Sequence, residues 1–114
     1  MANVYTNHKL KLTTTNATTL YTVPSQTTAI VKSLRVTNVD SSNDCTVTAT
    51  VTDTSSVEFT LETSRNVEKA SSEELFNSFS FSTSPVVLKE SEIVKLQAQN
   101  ANDLHAILSV LEIS

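Results

Sequence analysis

The chain has 114 residues, a formal net charge of −4, eight Lys and Arg, and no glycine. That length holds one domain with a core of its own and leaves no room for a second. Eight thinly spread cations form no basic stripe, which argues against phosphate-neutralising nucleic-acid binding, and the lack of glycine excludes Gly-rich phosphate loops.

Sixteen Ser and eighteen Thr give the chain a hydroxyl-rich composition. The 39% hydrophobic content and regular apolar alternation nevertheless specify a folded β domain, because threonine favours strands. Apolar runs such as Ala29-Ile30-Val31 are too short for a membrane-spanning helix. The first eight residues carry neither a basic n-region nor an apolar h-region, so no signal peptide is expected. Cys45 is the single cysteine, so no internal disulfide can form, and it reads as a small buried hydrophobe.

In chain order, His8 to Leu12 alternates weakly, with Leu10 and Leu12 on one side and Lys9 and Lys11 on the other. Residues 1–17 read as an N-terminal arm or edge strand, followed by one β-sandwich domain over 18–114. Thr18 to Val23 forms a strand that Pro24 ends. A long strand runs from Thr28 to Val39, with Ile30, Leu34 and Val36 on one face and Val31, Arg35 and Thr37 on the other. Asp40 to Asp44, all turn formers, predicts a hairpin into the next strand. Cys45 to Thr52 alternates strictly, placing Cys45, Val47, Ala49 and Val51 on a buried face and four threonines on the other.

Val57, Phe59 and Leu61 predict a further strand, after which Thr63 to Ala70 is irregular. Ser71 and Glu74 have capping-box spacing, which predicts a short helical turn near 72–77. Phe79 and Phe81 alternate with serines, and Glu92 to Gln99 buries Val94, Leu96 and Ala98. The last strand, Asp103 to Ile113, is apolar on both faces: Leu104, Ala106, Leu108 and Val110 on one, Ile107, Leu111 and Ile113 on the other. Such a strand is either central between two layers or covered by another subunit. Because one face of a single-domain sandwich normally meets water, the expectation is a partner covering part of it. The whole predicts an antiparallel β-sandwich of jelly-roll or immunoglobulin-like type, with about eight or nine short strands.

Little in the chain points to chemistry. His8 and His105 sit in different strands without metal-ligand companions, and no serine lies in a nucleophile turn. Glu73 and Glu74 read as first-turn acids complementing a helix dipole. The acidic loop Asp40 to Asp44 lacks EF-hand spacing. No catalytic, cofactor or metal residue is nominated, no cofactor is expected, and the expectation is a protein that is not an enzyme.

Thr18-Thr19-Leu20-Tyr21-Thr22-Val23-Pro24-Ser25 followed by Thr28 to Asn38 resembles a pattern in small virion structural proteins of tailed bacteriophages, cyanophages included. Ser84-Pro85-Val86-Val87-Leu88, Val94 to Ala98 and Leu108 to Ser114 resemble that family's closing strands, so about two thirds of the chain is covered. The glycine-free stretch Thr63 to Ser82 departs from the pattern, being longer than the family's usual passage.

The resemblance implies a capsid decoration (cement) protein that binds the major capsid protein on the outside of the head, after assembly in the host cytoplasm. It also implies self-association, with a trimer at shell three-fold positions as one arrangement, and no nucleic-acid or membrane partner. Val4, Tyr5, Ile107, Leu111 and Ile113 are the candidate interface residues. The alternatives are a neck, tail or fibre component, and a host-glycan-binding module using Asp40, Asn43 and Asp44 as a calcium-dependent loop.

Overall fold

The computed structural model describes residues 3–75 and 86–114. Their regular structure is entirely β: β1 (Asn3–Leu12), β2 (Thr18–Thr22), β3 (Thr28–Asn38), β4 (Cys45–Thr52), β5 (Glu58–Val67), β6 (Ser72–Glu74), β7 (Val86–Leu88), β8 (Ile93–Ala98) and β9 (Leu104–Ile113). Two antiparallel sheets form, the first ordered β1-β9-β3-β6 with β7 also on β3, the second ordered β2-β8-β4-β5. The pairing is nested, first strand with last and second with next to last, which is the strand order of a jelly roll. The β-sandwich expected from the alternation is therefore present. β6 and β7 pair with opposite halves of β3, at Arg35 to Thr37 and Ala29 to Val31.

The core lies between the sheets and is built by two-residue alternation. Cys45, Val47, Ala49 and Val51 of β4 face Leu104, Ala106, Leu108 and Val110 of β9 and their neighbours across one apolar cluster. Val94, Leu96 and Ala98 of β8 are buried as the sequence predicts. Two bulges then alter the simple period. In β2 an extra residue between Thr19 and Tyr21 lets the consecutive Leu20 and Tyr21 both face inward. In β3 the register shifts between Val31 and Ser33, so Lys32 is the extra residue.

The β3 bulge corrects the expected faces of that strand. Ala29 and Val31 are buried before it, and Leu34 and Val36 after it, whereas Ile30 lies on the outer side. Placing Ile30 with Leu34 and Val36 assumed an unbroken period, and one inserted residue reverses the phase.

Asp40 to Asp44 does not close a hairpin. β3 and β4 belong to different sheets, so this segment arches across the sandwich. Buried Asn38 holds the arch: its Nδ2 donates to the carbonyls of Asn43 (2.9 Å) and Val67 (3.0 Å), and its Oδ1 accepts from the Asp40 amide (2.9 Å). The hairpin that does form joins β4 to β5, where Asp53 Oδ1 accepts from the amides of Ser55 and Val57.

β5 runs on to Val67, past the point where its sequence pattern lapses, because two register shifts absorb the polar residues. Val67 reaches the core, whereas Phe59 at the other end is 56% exposed.

The helical turn expected near 72–77 is also corrected. Ser72 to Glu74 is a strand on the edge of β3, since pairing with Arg35 to Thr37 outweighs a local capping signal. The rest of that turn, with Phe79 and Phe81, lies outside the described residues.

Without glycine, the chain uses other residues at positive φ: Gln26, Ser56, Ser64, Ala70, Ser91 and Asn102. Five of them lie in connections between strands and Ser64 lies at a β5 register shift.

Candidate docking face

Register fixes which side chains share the outer face of the first sheet. Tyr5 of β1 is opposite Leu111 of β9, Leu111 is opposite Ile30 of β3, and Ile30 is opposite Val87 of β7. These four residues make one apolar row across four strands, with Tyr5 73% and Val87 57% exposed. The adjacent row adds Ile113, between Asn3 and Thr28.

Four residues further along the strands the character changes. Lys9, Ile107, Arg35 and Glu74 form one row, and Lys11, His105, Thr37 and Ser72 the next. Lys32, the extra residue of the β3 bulge, shares a shallow depression with Tyr5, Asn7 and Ser109 between the two halves. A second shallow depression lies among Lys9, Lys11, His105 and Ile107. Lys9, Lys11, Lys32 and Arg35 therefore place half of the chain's eight Lys and Arg on one face. Among the described residues of its strands, Glu74 is the one carboxylate turned outward, 4.0 Å from Arg35. Glu73 instead points toward Arg65 of β5 (3.8 Å), and Glu112 accepts from the Tyr21 hydroxyl.

The structure thus brings Tyr5, Ile107, Leu111 and Ile113 onto one face, as exposed or half-buried side chains. Val4 does not join them. It is next to Tyr5 in a strand and so projects from the opposite side, beside Glu112, with 52% exposure. Ile30 and Val87 complete the row, and the sequence pattern alone points to neither. The phase reversal hid Ile30, and Val87 stands in a strand of three residues.

The other residues weighed from the sequence remain structural in their surroundings. Cys45 is fully buried. His8 packs on Tyr21 from the core side, ring centroids 4.3 Å apart, while His105 is on the outer face, so the two histidines do not converge. Asp40 Oδ1 accepts from the amides of Ser42 (2.7 Å) and Asn43 (3.3 Å), which together hold its carboxyl below the ordinary value, the Ser42 amide having the largest effect. Asp44 accepts from the Lys69 amide and the Asn66 side chain. These carboxylates serve the chain's own turns. Among the described residues no group of three or more His, Cys, Asp or Glu is placed to hold a metal ion.

No protein-family model matches the chain, and comparison with curated proteins finds no match either.

Proposed function

We propose that this chain is a structural protein of a tailed-phage virion, a capsid decoration (cement) protein that binds the head shell and stabilises it. The observation that carries the reading is the apolar row Tyr5–Leu111–Ile30–Val87, left open across the outer face of the first sheet. A single-domain sandwich normally turns polar side chains to water there, as the second sheet does with Thr46, Thr48 and Thr50. An exposed apolar band on a rigid sheet suits attachment to another protein surface. Many copies with modest individual contacts reinforce a shell, because multivalent attachment multiplies weak binding.

The resemblance of the strands around Thr18 to Asn38 and of the closing strands supplies the phage context. The jelly-roll order is compatible with it by analogy only, since capsid, lectin and cupin domains share that order. The partner in this reading is the major capsid protein, with further copies of this chain beside it, and the location is the capsid exterior. No catalytic step is proposed.

Quantitative mass spectrometry of purified particles tests the reading. Hundreds of copies per particle, with earlier rupture of chain-free particles under heat or osmotic shock, support it. A few dozen copies or fewer point to a neck, tail or fibre position. Absence from particles, together with chelator-sensitive binding on a glycan array, favours the glycan-binding alternative.

A further inference from the structure

The outer face of the first sheet is bipartite, and its two halves together constrain what can cover it. One half presents Tyr5, Leu111, Ile30, Val87 and Ile113. The other presents Lys9, Lys11 and Arg35 around Ile107, about 13 Å away at four residues along a strand. The chain is acidic overall, at −4, so concentrating half its cations here makes the remainder more acidic than the whole.

We infer that the occupant of this face is an acidic protein surface: an apolar recess for the Tyr5–Val87 row beside a cluster of carboxylates for Lys9, Lys11 and Arg35. This deepens the docking reading above by stating the partner's chemistry. A second copy bound face to face fits poorly. With the two faces in full overlap, one orientation sets lysines against lysines and the other buries lysines on the apolar row. Both arrangements leave charges desolvated without partners. An overlap confined to the apolar rows leaves the basic rows without any counter-charge. Nucleic acid offers no apolar recess for the Tyr5–Val87 row, and an anionic bilayer extends its charge under the apolar half and the acidic remainder of the molecule as well as under the basic rows. A protein surface supplies carboxylates locally, at the basic rows, and apolar contact where this face is apolar.

The test uses a photo-crosslinker in the full chain. Ile107→p-benzoylphenylalanine and, separately, Ser109→p-benzoylphenylalanine are placed in the face, with Thr50→p-benzoylphenylalanine on the second sheet as control. The chains are made in the cells that naturally produce them, irradiated, and the adducts identified by mass spectrometry. The expected result is one protein adduct from the face positions and none from Thr50, with the attached peptide in an Asp- and Glu-rich exposed region. Lys9→Glu combined with Lys11→Glu lowers its yield at least tenfold, and so does raised salt on the chain with native lysines.

If the charge-reversed chain does not fold, Lys9→Gln with Lys11→Gln and the salt series carry the test. Adducts to a second copy, to lipid or to nucleic acid overturn the inference. So do adducts indifferent to charge and salt, or no adduct from either face position. An acidic partner foreign to any virion upholds the inference and overturns the phage reading. A virion partner indifferent to the lysines does the reverse.

Discussion

The hydroxyl of Tyr21 donates to Oε2 of Glu112 at 2.5 Å, tying β2 of one sheet to β9 of the other at the edge of the core. His8 stacks against the same ring, so three strands meet at one aromatic side chain. Burial chiefly, and then the hydrogen bond and charge of Glu112, raise the Tyr21 phenol above its ordinary pKa of 10.0. A group whose folded pKa is raised contributes stability that is complete below the unfolded pKa and lost as pH climbs toward the folded one. Urea unfolding should therefore give constant Tyr21-linked stability up to about pH 9 and a decline above about pH 10. Tyr21→Phe should remove that alkaline decline. A decline of equal size in the variant would contradict the assignment.

Asn38 joins β3 to the arch and to β5 through its two hydrogen bonds to carbonyls and one from an amide. Asn38→Ala leaves the Val67 carbonyl and the Asp40 amide without their partner. A loss of about 2–4 kcal/mol is expected in chemical denaturation. Asn38→Asp should cost a similar amount, since a carboxylate cannot donate to either carbonyl.

Thr52 ends β4 with a buried hydroxyl that has no hydrogen-bond partner among the described residues. Thr52→Val keeps the shape and β-branching and removes the unsatisfied group. It should raise stability by about 0.5–1 kcal/mol, read as a higher denaturation midpoint with an unchanged slope.

Ala70 and Gln26 hold φ of 53° and 56° in turns where glycine has no steric cost. Ala70→Gly and Gln26→Gly should each be neutral or stabilise by up to about 1 kcal/mol, as relieved strain exceeds the added freedom of the unfolded chain. A loss above about 1 kcal/mol at Ala70 would show that its methyl group makes contacts that matter more than its backbone angle.

How much was legible in the sequence depended on whether the period was unbroken. Cys45 to Thr52 and Leu104 to Ile113 alternate without interruption, and both strands have the expected faces except at Thr52, which is buried where the other three threonines of β4 are half-exposed. Thr28 to Asn38 carries one extra residue, Lys32, and composition gives no sign of a bulge, so an unbroken period puts Ile30 on the wrong side. Asp40 to Asp44 announced a reversal of the chain but not whether the next strand would pair or cross to the other sheet. That choice depends on distant partners. Of the candidate face, Ile107, Leu111 and Ile113 were visible as the second apolar side of one strand. Ile30, Val87 and the four cations became part of it only through cross-strand register.

A decoration protein of this fold must turn its first sheet toward a partner and the threonine rows of its second sheet toward water. Electron cryomicroscopy of intact particles, at a resolution that separates strands, tests this orientation most directly. The expected result is jelly-roll density on the outside of the head, with Tyr5, Leu111, Ile30 and Val87 against the shell and Thr46, Thr48 and Thr50 outward. The same density with the second sheet against the shell, or heads bare of it in particles that contain the chain elsewhere, would contradict it.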